Sequence, residues 1–216
     1  MTFLDFKNLV RADLFRIDGR NDLRALLGEL GYGEGFAYCF WLRACAYFAS
    51  GVLSRYTIYP VARLFLRHYR YKLGIAIPVA TRIGPGFYIG HFGGIVVNGD
   101  AQIGRNCNLS HGVTIGLASR GSRSGCPVIG DHVFIGPGAM IFGAVRIGNH
   151  AAIGANTVVT KDVPDHAVVV GSPPRIVSYA GSEGYVNQTN YAGPAEAGAA
   201  APPAATANQP APNSKS

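Results

Sequence analysis

The chain has 216 residues, which allows one domain with a hydrophobic core plus a smaller appendage and excludes two full-size domains. Hydrophobic residues make up 48% of the chain and charged residues 14%, which excludes a chain that is disordered throughout. Lys and Arg outnumber Asp and Glu by 19 to 12, and the net charge of +7 favours an anionic partner: a phosphorylated cofactor, nucleic acid or an acidic membrane face.

The first part of the chain carries helical patterns that are separated by short segments containing glycine. The predicted helices cover Phe3–Phe15, Arg20–Leu30 and Phe36–Arg70. We therefore expect residues 1–75 to form a separate helical unit, either for oligomerisation or for association with a membrane or another partner.

One segment of this unit, Phe36–Ser54, is nearly long enough to span a bilayer, but Arg43 lies inside it. Five basic residues follow with no acid among them: Arg55, Arg63, Arg67, Arg70 and Lys72. These charges favour a helix that lies on a surface over one that crosses a membrane. Two interpretations stay open: association with an anionic membrane surface, or an oligomerisation unit whose arginines are merely solvated.

From about Ile77 to Pro164 an aliphatic residue recurs every six positions, often followed by glycine. This period is neither the 3.6 of a helix nor the alternation of hairpin strands. Three such six-residue segments make one triangular coil, or rung, of about 18 residues, with the aliphatic side chains inside and small residues at the corners. About four coils fit between these limits. The recurring positions are Ile83, Ile89, Ile95, Ile103, Leu109, Ile115, Ile129, Ile135, Ile141, Ile147, Ile153 and Val159.

Two breaks interrupt the period. A slip of two residues lies between Ile95 and Ile103, and a longer insertion after Ile115 carries the polar segment Leu117–Cys126. A loop rich in Gly and Ser must protrude from a rigid solenoid, and we expect this one to contribute to a binding site.

Alignment of the rungs places His91, His111, Pro137 and Ala155 in one column, each two positions after an inward aliphatic residue. A groove floored by small residues accepts a slender ligand arm such as pantetheine. An imidazole at the end of that groove can remove a proton from an incoming hydroxyl. The column therefore predicts acyl-transfer chemistry.

The other histidines have weaker claims to a functional role. His132 and His150 are predicted at equivalent corner positions, as exposed turn residues, and His68 and His166 are assigned to no constellation. A zinc-binding solenoid needs three histidines from neighbouring faces, and only His91 shares a column with a second one. We therefore expect no metal.

Four stretches carry a resemblance to a known family: Gly86–Asn98, Leu109–Gly116, Ile135–Ala139 and Val163–Val177. They resemble the serine acetyltransferases and those relatives that O-acetylate sugars of bacterial surface polysaccharides, within the hexapeptide-repeat acyltransferases. The resemblance implies that residues 76–178 form a left-handed parallel β-helix, so that the fold class is an all-β hexapeptide solenoid with an N-terminal α-helical unit.

The resemblance also implies roles for individual residues. His91 matches the general base of the family, and His111 is the second catalytic candidate because it shares the column. The positions implied for acetyl-CoA are Gly116, Pro137 and Ala155 along the pantetheine arm, and Thr160, Lys161 and Arg175 near the phosphates.

Three departures from the serine acetyltransferase pattern bear on the acceptor. In that family an aspartate orients the base, a second carboxylate directly precedes the base, and a loop histidine helps to hold the amino-acid substrate. The matching residues here are Ala76, Gly90 and Cys126. Without the two carboxylates an ammonium group loses its partners, so a neutral hydroxyl suits the site better. The base must be oriented by another group, a backbone carbonyl or His111.

We therefore predict an acetyl-CoA-dependent O-acetyltransferase that acts as a homotrimer, with each site between two solenoids. The expected acceptor is a sugar hydroxyl of a surface polysaccharide or its precursor, which His91 deprotonates for direct attack on the thioester. The alternative is serine O-acetylation in cysteine biosynthesis. A non-catalytic scaffold is the third possibility, and release of thiol from acetyl-CoA separates it from the enzymes. No nucleic-acid partner is expected.

The last segment, residues 179–216, is predicted to be a largely disordered tail, because Gly193–Ser216 is rich in Ala, Pro, Asn and Gln. No cleavable signal sequence is recognised at the start. The four cysteines show neither the spacing of a zinc site nor a disulfide framework, which favours a reducing cytoplasm. A peripheral position at the inner face of the membrane stays open. The cysteines are Cys39, Cys45, Cys107 and Cys126.

Overall fold

The computed structural model describes residues 1–191. Five helices come first: α1 (Phe3–Asp18), α2 (Leu23–Tyr32), α3 (Glu34–Ala49), α4 (Val52–Tyr56) and α5 (Ile58–Leu73). Thr2 caps α1 through a reciprocal pair of hydrogen bonds with Asp5, and Asp22 caps α2 through the backbone N–H of Ala25. The predicted helical stretch 36–70 is three helices, because the chain breaks at Gly51 and again at Thr57.

Fifteen short strands follow. They are β1 (Ile75–Ala76), β2 (Arg82–Ile83), β3 (Tyr88–Ile89), β4 (Ile95–Val97), β5 (Gln102–Ile103), β6 (Asn108–Leu109), β7 (Thr114–Gly116), β8 (Val128–Ile129), β9 (Phe134–Ile135), β10 (Met140–Phe142), β11 (Arg146–Ile147), β12 (Ala152–Ile153), β13 (Val158–Val159), β14 (Val168–Val170) and β15 (Arg175–Ser178).

The strands form the three faces of a left-handed parallel β-helix, as predicted. Sheet A has the order β1-β4-β7-β10-β13, sheet B the order β2-β5-β8-β11, and sheet C the order β3-β6-β9-β12-β14-β15. All neighbours pair in parallel except β15, which returns antiparallel onto β14. The inward aliphatic residues of the hexapeptide pattern fill the core, and Ile115, Ile135 and Ile153 are fully buried.

Two corners of the solenoid matter below. The C–A corner joins sheet C to sheet A and contains residues 90–94, 110–113, 136–139 and 154–157. The B–C corner joins sheet B to sheet C and contains residues 84–87, 104–107, 130–133, 148–151 and 164–167. Each corner turns through residues with positive φ, but the C–A corner uses mainly glycine and the B–C corner uses mainly asparagine and histidine.

The helical unit packs on the solenoid through α3, so within the segment predicted to lie on a surface the part Glu34–Ala49 is packed against the protein instead. Tyr38 is buried, and its hydroxyl donates to the carbonyl of Ile77 at 3.2 Å. Arg43 is also buried and donates to Asp13 of α1 at 3.0 Å. A charged residue inside an apolar helix favours exposure, whereas Arg43 is buried because its carboxylate partner comes from a different helix.

Arg43 and Asp13 also attach the helices to the first coil. Arg43 donates to the carbonyls of Ile83 and Gly84, each at 2.6 Å. Asp13 accepts the backbone N–H of Phe87 at 2.8 Å. The buried pair therefore satisfies the polar backbone of the first turn of the B–C corner.

The first part of the predicted tail is packed rather than disordered. Within residues 179–191, which we call the C-terminal strap, Ser182 is buried and its N–H donates to the carbonyl of His150 at 2.9 Å. The ring of Tyr185 stacks on Phe134, with centroids 4.4 Å apart. The side chain of Asn108 donates to the carbonyl of Tyr185 at 2.8 Å. The rest of the predicted tail, residues 192–216, lies outside the described residues.

Between residues 1 and 191 no helix is both long enough and apolar enough to cross a membrane.

Candidate active site

The strand register of sheet C brings His91, His111, Pro137 and Ala155 into one column. Ile89, Leu109, Ile135 and Ile153 are successive cross-strand partners, and each column residue follows its partner by two positions. The column continues to Gly171, because Ile153 pairs with Val169.

The two histidines of the column are neighbours with exposed side chains. Their ring centroids lie 6.2 Å apart, and the ring planes are inclined by 70°. The backbone fixes this spacing, because the N–H of Gly138 donates to the carbonyl of His111 at 2.9 Å and the N–H of Gly112 donates to that of Gly93 at 2.7 Å. Two imidazoles therefore sit on consecutive rungs where solvent and substrate can reach them.

The backbone beside the column turns mainly through glycines. Gly94, Gly112 and Gly138 all have positive φ, and a Cβ on Gly112 would lie 3.3 Å from the Cα of Gly138. These glycines allow successive rungs to approach closely, and the side chain of Asn156 lies against Gly138 on the last of them. The column therefore has the two histidines at one end and the smaller Pro137 and Ala155 along the rest.

Gly116 and Thr160 lie elsewhere on the same chain. The register of sheet A places Gly116 opposite Phe142, at the edge of sheet A away from the C–A corner, and Thr160 follows on the next rung. A Cβ on Gly116 would lie 2.4 Å from the ring of Phe142, so the glycine makes room for that ring. Within one protomer the structure does not bring Gly116 into the groove of Pro137 and Ala155.

The two predicted basic residues lie at the last coil and are exposed. Lys161 follows Thr160 at the corner between sheets A and B, whereas Arg175 begins β15 and pairs with Val170. Arg175 therefore lies near the end of the His91 column and Lys161 near the end of the Gly116 column. Neither forms an ion pair with a carboxylate of residues 1–191.

Cys126 closes the loop that interrupts the repeat. Its thiol lies 3.3 Å from Oδ1 of Asn98, and partial burial, followed by the nearby charge of Asp100, raises the pKa of the thiol. The loop itself is tied back to the solenoid, because Arg123 pairs with Asp162 at 3.0 Å. Residues 119–124 of the insertion are exposed, and its contribution to a binding site stays a prediction.

A second set of histidines lies on the B–C corner, and here the structure corrects the sequence interpretation. His132, His150 and His166 all have positive φ and stack face to face, with centroids 4.7 Å and 4.9 Å apart. His166 therefore belongs to this stack of three histidines, although the sequence assigns it to no cluster. His132 and His150 are half-buried rather than exposed. Burial, followed by the neighbouring His150, lowers the pKa of His132.

This stack does not have the geometry of a metal site. Its rings are within 8° of parallel, so their nitrogens do not converge on one point. Over residues 1–191 no cluster of three or more His, Cys, Asp or Glu side chains could hold a metal ion.

Comparison with known proteins finds hexapeptide-repeat transferases and serine acetyltransferases. The family model "Bacterial transferase hexapeptide (six repeats)" matches residues 126–161. Serine acetyltransferase of Bacillus pumilus is 39% identical over 120 residues, which are 56% of this chain and 55% of that protein. Serine acetyltransferase of Helicobacter pylori (strain 26695) is 33% identical over 132 residues, which are 61% of this chain and 77% of that protein.

Solved structures agree. The crystal structure of serine acetyltransferase from Brucella abortus has a TM-score of 0.67 and 29% identity, over 82% of this chain and 70% of that one. The Neisseria gonorrhoeae enzyme in complex with serine has a TM-score of 0.65 and 32% identity, over the same shares. The chain spans about half the length of the Bacillus pumilus relative, and these names are not those of the polysaccharide-modifying branch. With these similarities, the chain belongs to the serine acetyltransferase family of hexapeptide-repeat transferases.

Proposed function

We propose that the protein is an acetyl-CoA-dependent O-acetyltransferase. The observation that carries the proposal is the C–A corner, where His91 and His111 stand at one end of a column whose other residues are small. A general base needs an accessible imidazole, and a pantetheine arm needs a narrow groove without protruding side chains. The accessible imidazoles and the small residues of one column support both assignments.

In the proposed reaction the acceptor hydroxyl gives its proton to His91 as its oxygen attacks the thioester carbonyl. A carbon–oxygen bond forms, the carbon–sulfur bond breaks, and the coenzyme A thiolate takes the proton back from the imidazolium. Ala76 supplies no carboxylate to orient the base. His111 is the titratable neighbour of His91 in the column, so we assign it the positioning role.

The separation of the two columns supports a trimeric site. Pro137 and Ala155 lie at one edge of sheet A, and Gly116 and Thr160 lie at the other. In a three-fold assembly with the solenoids side by side, one protomer's C–A corner faces its neighbour's opposite edge. Acetyl-CoA would then lie between two protomers, with Arg175 of one and Lys161 of the other near its phosphates.

Two acceptors compete within this proposal. The names of the relatives favour serine, and they favour it better than a saccharide. One specific observation favours a saccharide: Ala76, Gly90 and Cys126 stand where a serine site would present two carboxylates and a histidine. An ammonium group that enters a partly dry site without a counter-charge is penalised, whereas a sugar hydroxyl needs only a base and hydrogen bonds.

We also propose a reducing, cytoplasmic setting. All four cysteines are free thiols, and Cys39, Cys45 and Cys107 are buried. Burial raises the pKa of Cys45 to about 11, so this thiol resists oxidation by staying protonated.

Thiol release from acetyl-CoA, measured with free serine and with saccharide repeat units side by side, tests both levels of the proposal. Release with either acceptor that disappears in His91→Ala, but not in the control His68→Ala on α5, supports the enzyme. Release with neither acceptor favours a non-catalytic scaffold. If serine is consumed at the rate of an ordinary biosynthetic enzyme, the saccharide is excluded. If acetylation of serine is slow and the double variant Ala76→Asp with Cys126→His accelerates it, the absence of the carboxylate and the histidine explains why serine is a poor acceptor.

A further inference from the structure

Helices α4 and α5 expose an unusual amount of apolar surface. Val52 is 84% exposed, Leu53 79%, Tyr71 73% and Leu64 67%. Large apolar side chains of a folded domain are normally buried, and a contiguous exposed set marks a contact surface. Tyr56, Ile58, Val61 and Phe65 add to it. We call these eight side chains, with the arginines between them, the α4–α5 surface.

The apolar residues of the α4–α5 surface are additional to the side of α5 that packs into the core. Ala62, Leu66 and Leu73 pack into the main core, and Phe65 at the margin stacks on Trp41 of α3 with centroids 4.3 Å apart. At 100° per residue, Leu64 and Tyr71 point away from that buried side. The outward apolar residues are therefore not alternative core positions.

The charge of this surface has one sign. Between Glu34 and Asp100 the sequence contains no acidic residue. Arg55, Arg63, Arg67 and Arg70 are exposed, and none pairs with a carboxylate in the part of the chain that the structure describes. Lys72 alone reaches an acid, Glu34 at 3.8 Å.

Two arginines are held against aromatic rings of the same helix. Arg63 donates to the hydroxyl of Tyr59 at 3.1 Å, and the guanidinium of Arg67 lies 5.7 Å from the ring centre of Tyr71. Such pairs place a cation beside an amphipathic ring, the combination found where a helix lies in the headgroup region of a bilayer.

We propose that the α4–α5 surface binds the anionic face of a lipid bilayer, with the apolar residues inserted and the arginines at the headgroups. Charge decides against a second copy of the same surface as the occupant. Self-pairing would bring four unpaired arginines against four others with no acid on either side, whereas anionic headgroups neutralise them. The proposal does not depend on the acceptor or on the acetyl-transfer chemistry.

Co-sedimentation of the full chain with lipid vesicles tests it. The probes are vesicles of phosphatidylcholine alone and of phosphatidylcholine mixed with phosphatidylglycerol, at low and high salt. We expect binding to the anionic vesicles that weakens as salt rises, and little binding to the neutral ones. Equal binding to both, or binding to neither, overturns the proposal.

Variants separate the two components of the surface. Arg67→Gln should weaken binding to anionic vesicles about fivefold, and Arg67→Gln with Arg70→Gln about 25-fold, with a shallower salt dependence. Leu64→Ser should weaken binding at every salt concentration. The matched controls are Arg24→Gln and Leu27→Ser, which change exposed residues of α2 and should leave binding unchanged.

Two further measurements keep the test decisive. Trp41 is the only tryptophan and packs on Phe65, so an unchanged emission spectrum shows that α5 stays in place in each variant. Sedimentation velocity of the same variants without lipid reports the oligomeric state. If Leu64→Ser dissociates an assembly while leaving vesicle binding unaffected, the surface is an interface between copies, and the lipid proposal is wrong.

Discussion

The C–A and B–C corners are built by the same repeat, yet only the B–C corner is covered by another segment of the chain. At the C–A corner most of the positive φ angles fall on glycines, among them Gly94, Gly112 and Gly138, and Asn156 follows on the last rung. At the B–C corner His132 and its neighbours carry them, and the C-terminal strap packs on top. A solenoid corner that is to bind a ligand must leave this space free, whereas a structural corner can fill it.

The largest expected effect is the fall in the acetyl-transfer rate when His91 is removed from the C–A corner. His91→Ala should lower the acetyl-transfer rate by roughly two to four orders of magnitude, the usual contribution of a general base. Binding of coenzyme A, measured by calorimetry, should remain. His111→Ala should have a smaller effect on the rate. If His111→Ala proves the more damaging, the base has been assigned to the wrong rung.

At the covered corner the largest effect should be on stability. Asp13→Ala leaves Arg43 buried without its carboxylate and frees the N–H of Phe87, so the free energy of unfolding should fall by about 3–5 kcal/mol. Urea unfolding measures the change. Arg20→Ala, which breaks the exposed pair with Asp22, should cost less than about 1 kcal/mol. Equal effects would mean that burial of the Arg43 pair is unimportant.

Filling the C–A corner should affect the substrate but not the fold. Ala155→Trp puts a large ring into the groove and should raise the KM for acetyl-CoA about tenfold or more, because the pantetheine arm loses its track. The control, Val128→Trp, adds the same ring to the outer face of sheet B. Steady-state kinetics and the melting temperature distinguish the two. An unchanged KM would place the cofactor in a different part of the molecule.

We expect Lys161 and Arg175 of the last coil to bind the phosphates of acetyl-CoA. Lys161→Ala or Arg175→Ala should weaken coenzyme A binding a few-fold, and more at low salt than at high salt, because both residues are exposed and their charges are screened. Titrations at two salt concentrations measure this. A loss that is the same at both would indicate contacts other than phosphate pairing.

The smallest effect should be a pH dependence of stability that comes from the covered corner. Burial and His150 lower the pKa of His132 in the folded state, while the unfolded chain titrates near the ordinary value of 6.5. As the pH falls below that value the unfolded state binds the proton first, so stability is lost on acidification and is fully present above it.

His150→Asn sharpens this comparison, because asparagine tolerates the same positive φ but cannot be protonated. Unfolding measured across the acidic range should show a shallower loss of stability than in the parent chain. The matched control is His68→Asn on the exposed face of α5, which should leave the slope unchanged. A steeper slope in His150→Asn would show that the stack does not disfavour protonation.

The repeat could be predicted from the sequence because its information is local. An inward aliphatic residue every six positions sets the register of every rung, and the register in turn places His91 beside His111. The resemblance predicts Gly116 along the pantetheine arm, whereas the register places it at the other edge of sheet A. Whether that edge completes a site depends on contacts between copies, which no single chain encodes by periodicity.

What could not be predicted depends on long-range contacts. Arg43 reaches an acid thirty residues away on another helix, so its charge gave no sign that it is buried. His166 lies on a shortened rung, 16 residues after His150 rather than 18, and a search at the regular period passes over it. Tyr185 anchors the C-terminal strap in a stretch that has no periodic pattern at all.

Because Lys161 and Arg175 lie at the last coil, the number of coils sets their distance from His91. Rungs are stacked about 4.8 Å apart, so the four steps from His91 to Gly171 span about 19 Å along the solenoid axis. Because each rung contacts only its neighbours, a coil could be added or removed without disturbing the rest of the fold. In the proposed site, such a change would move Lys161 and Arg175 away from or towards His91. The length of the solenoid would then set how far the phosphates of acetyl-CoA lie from its thioester.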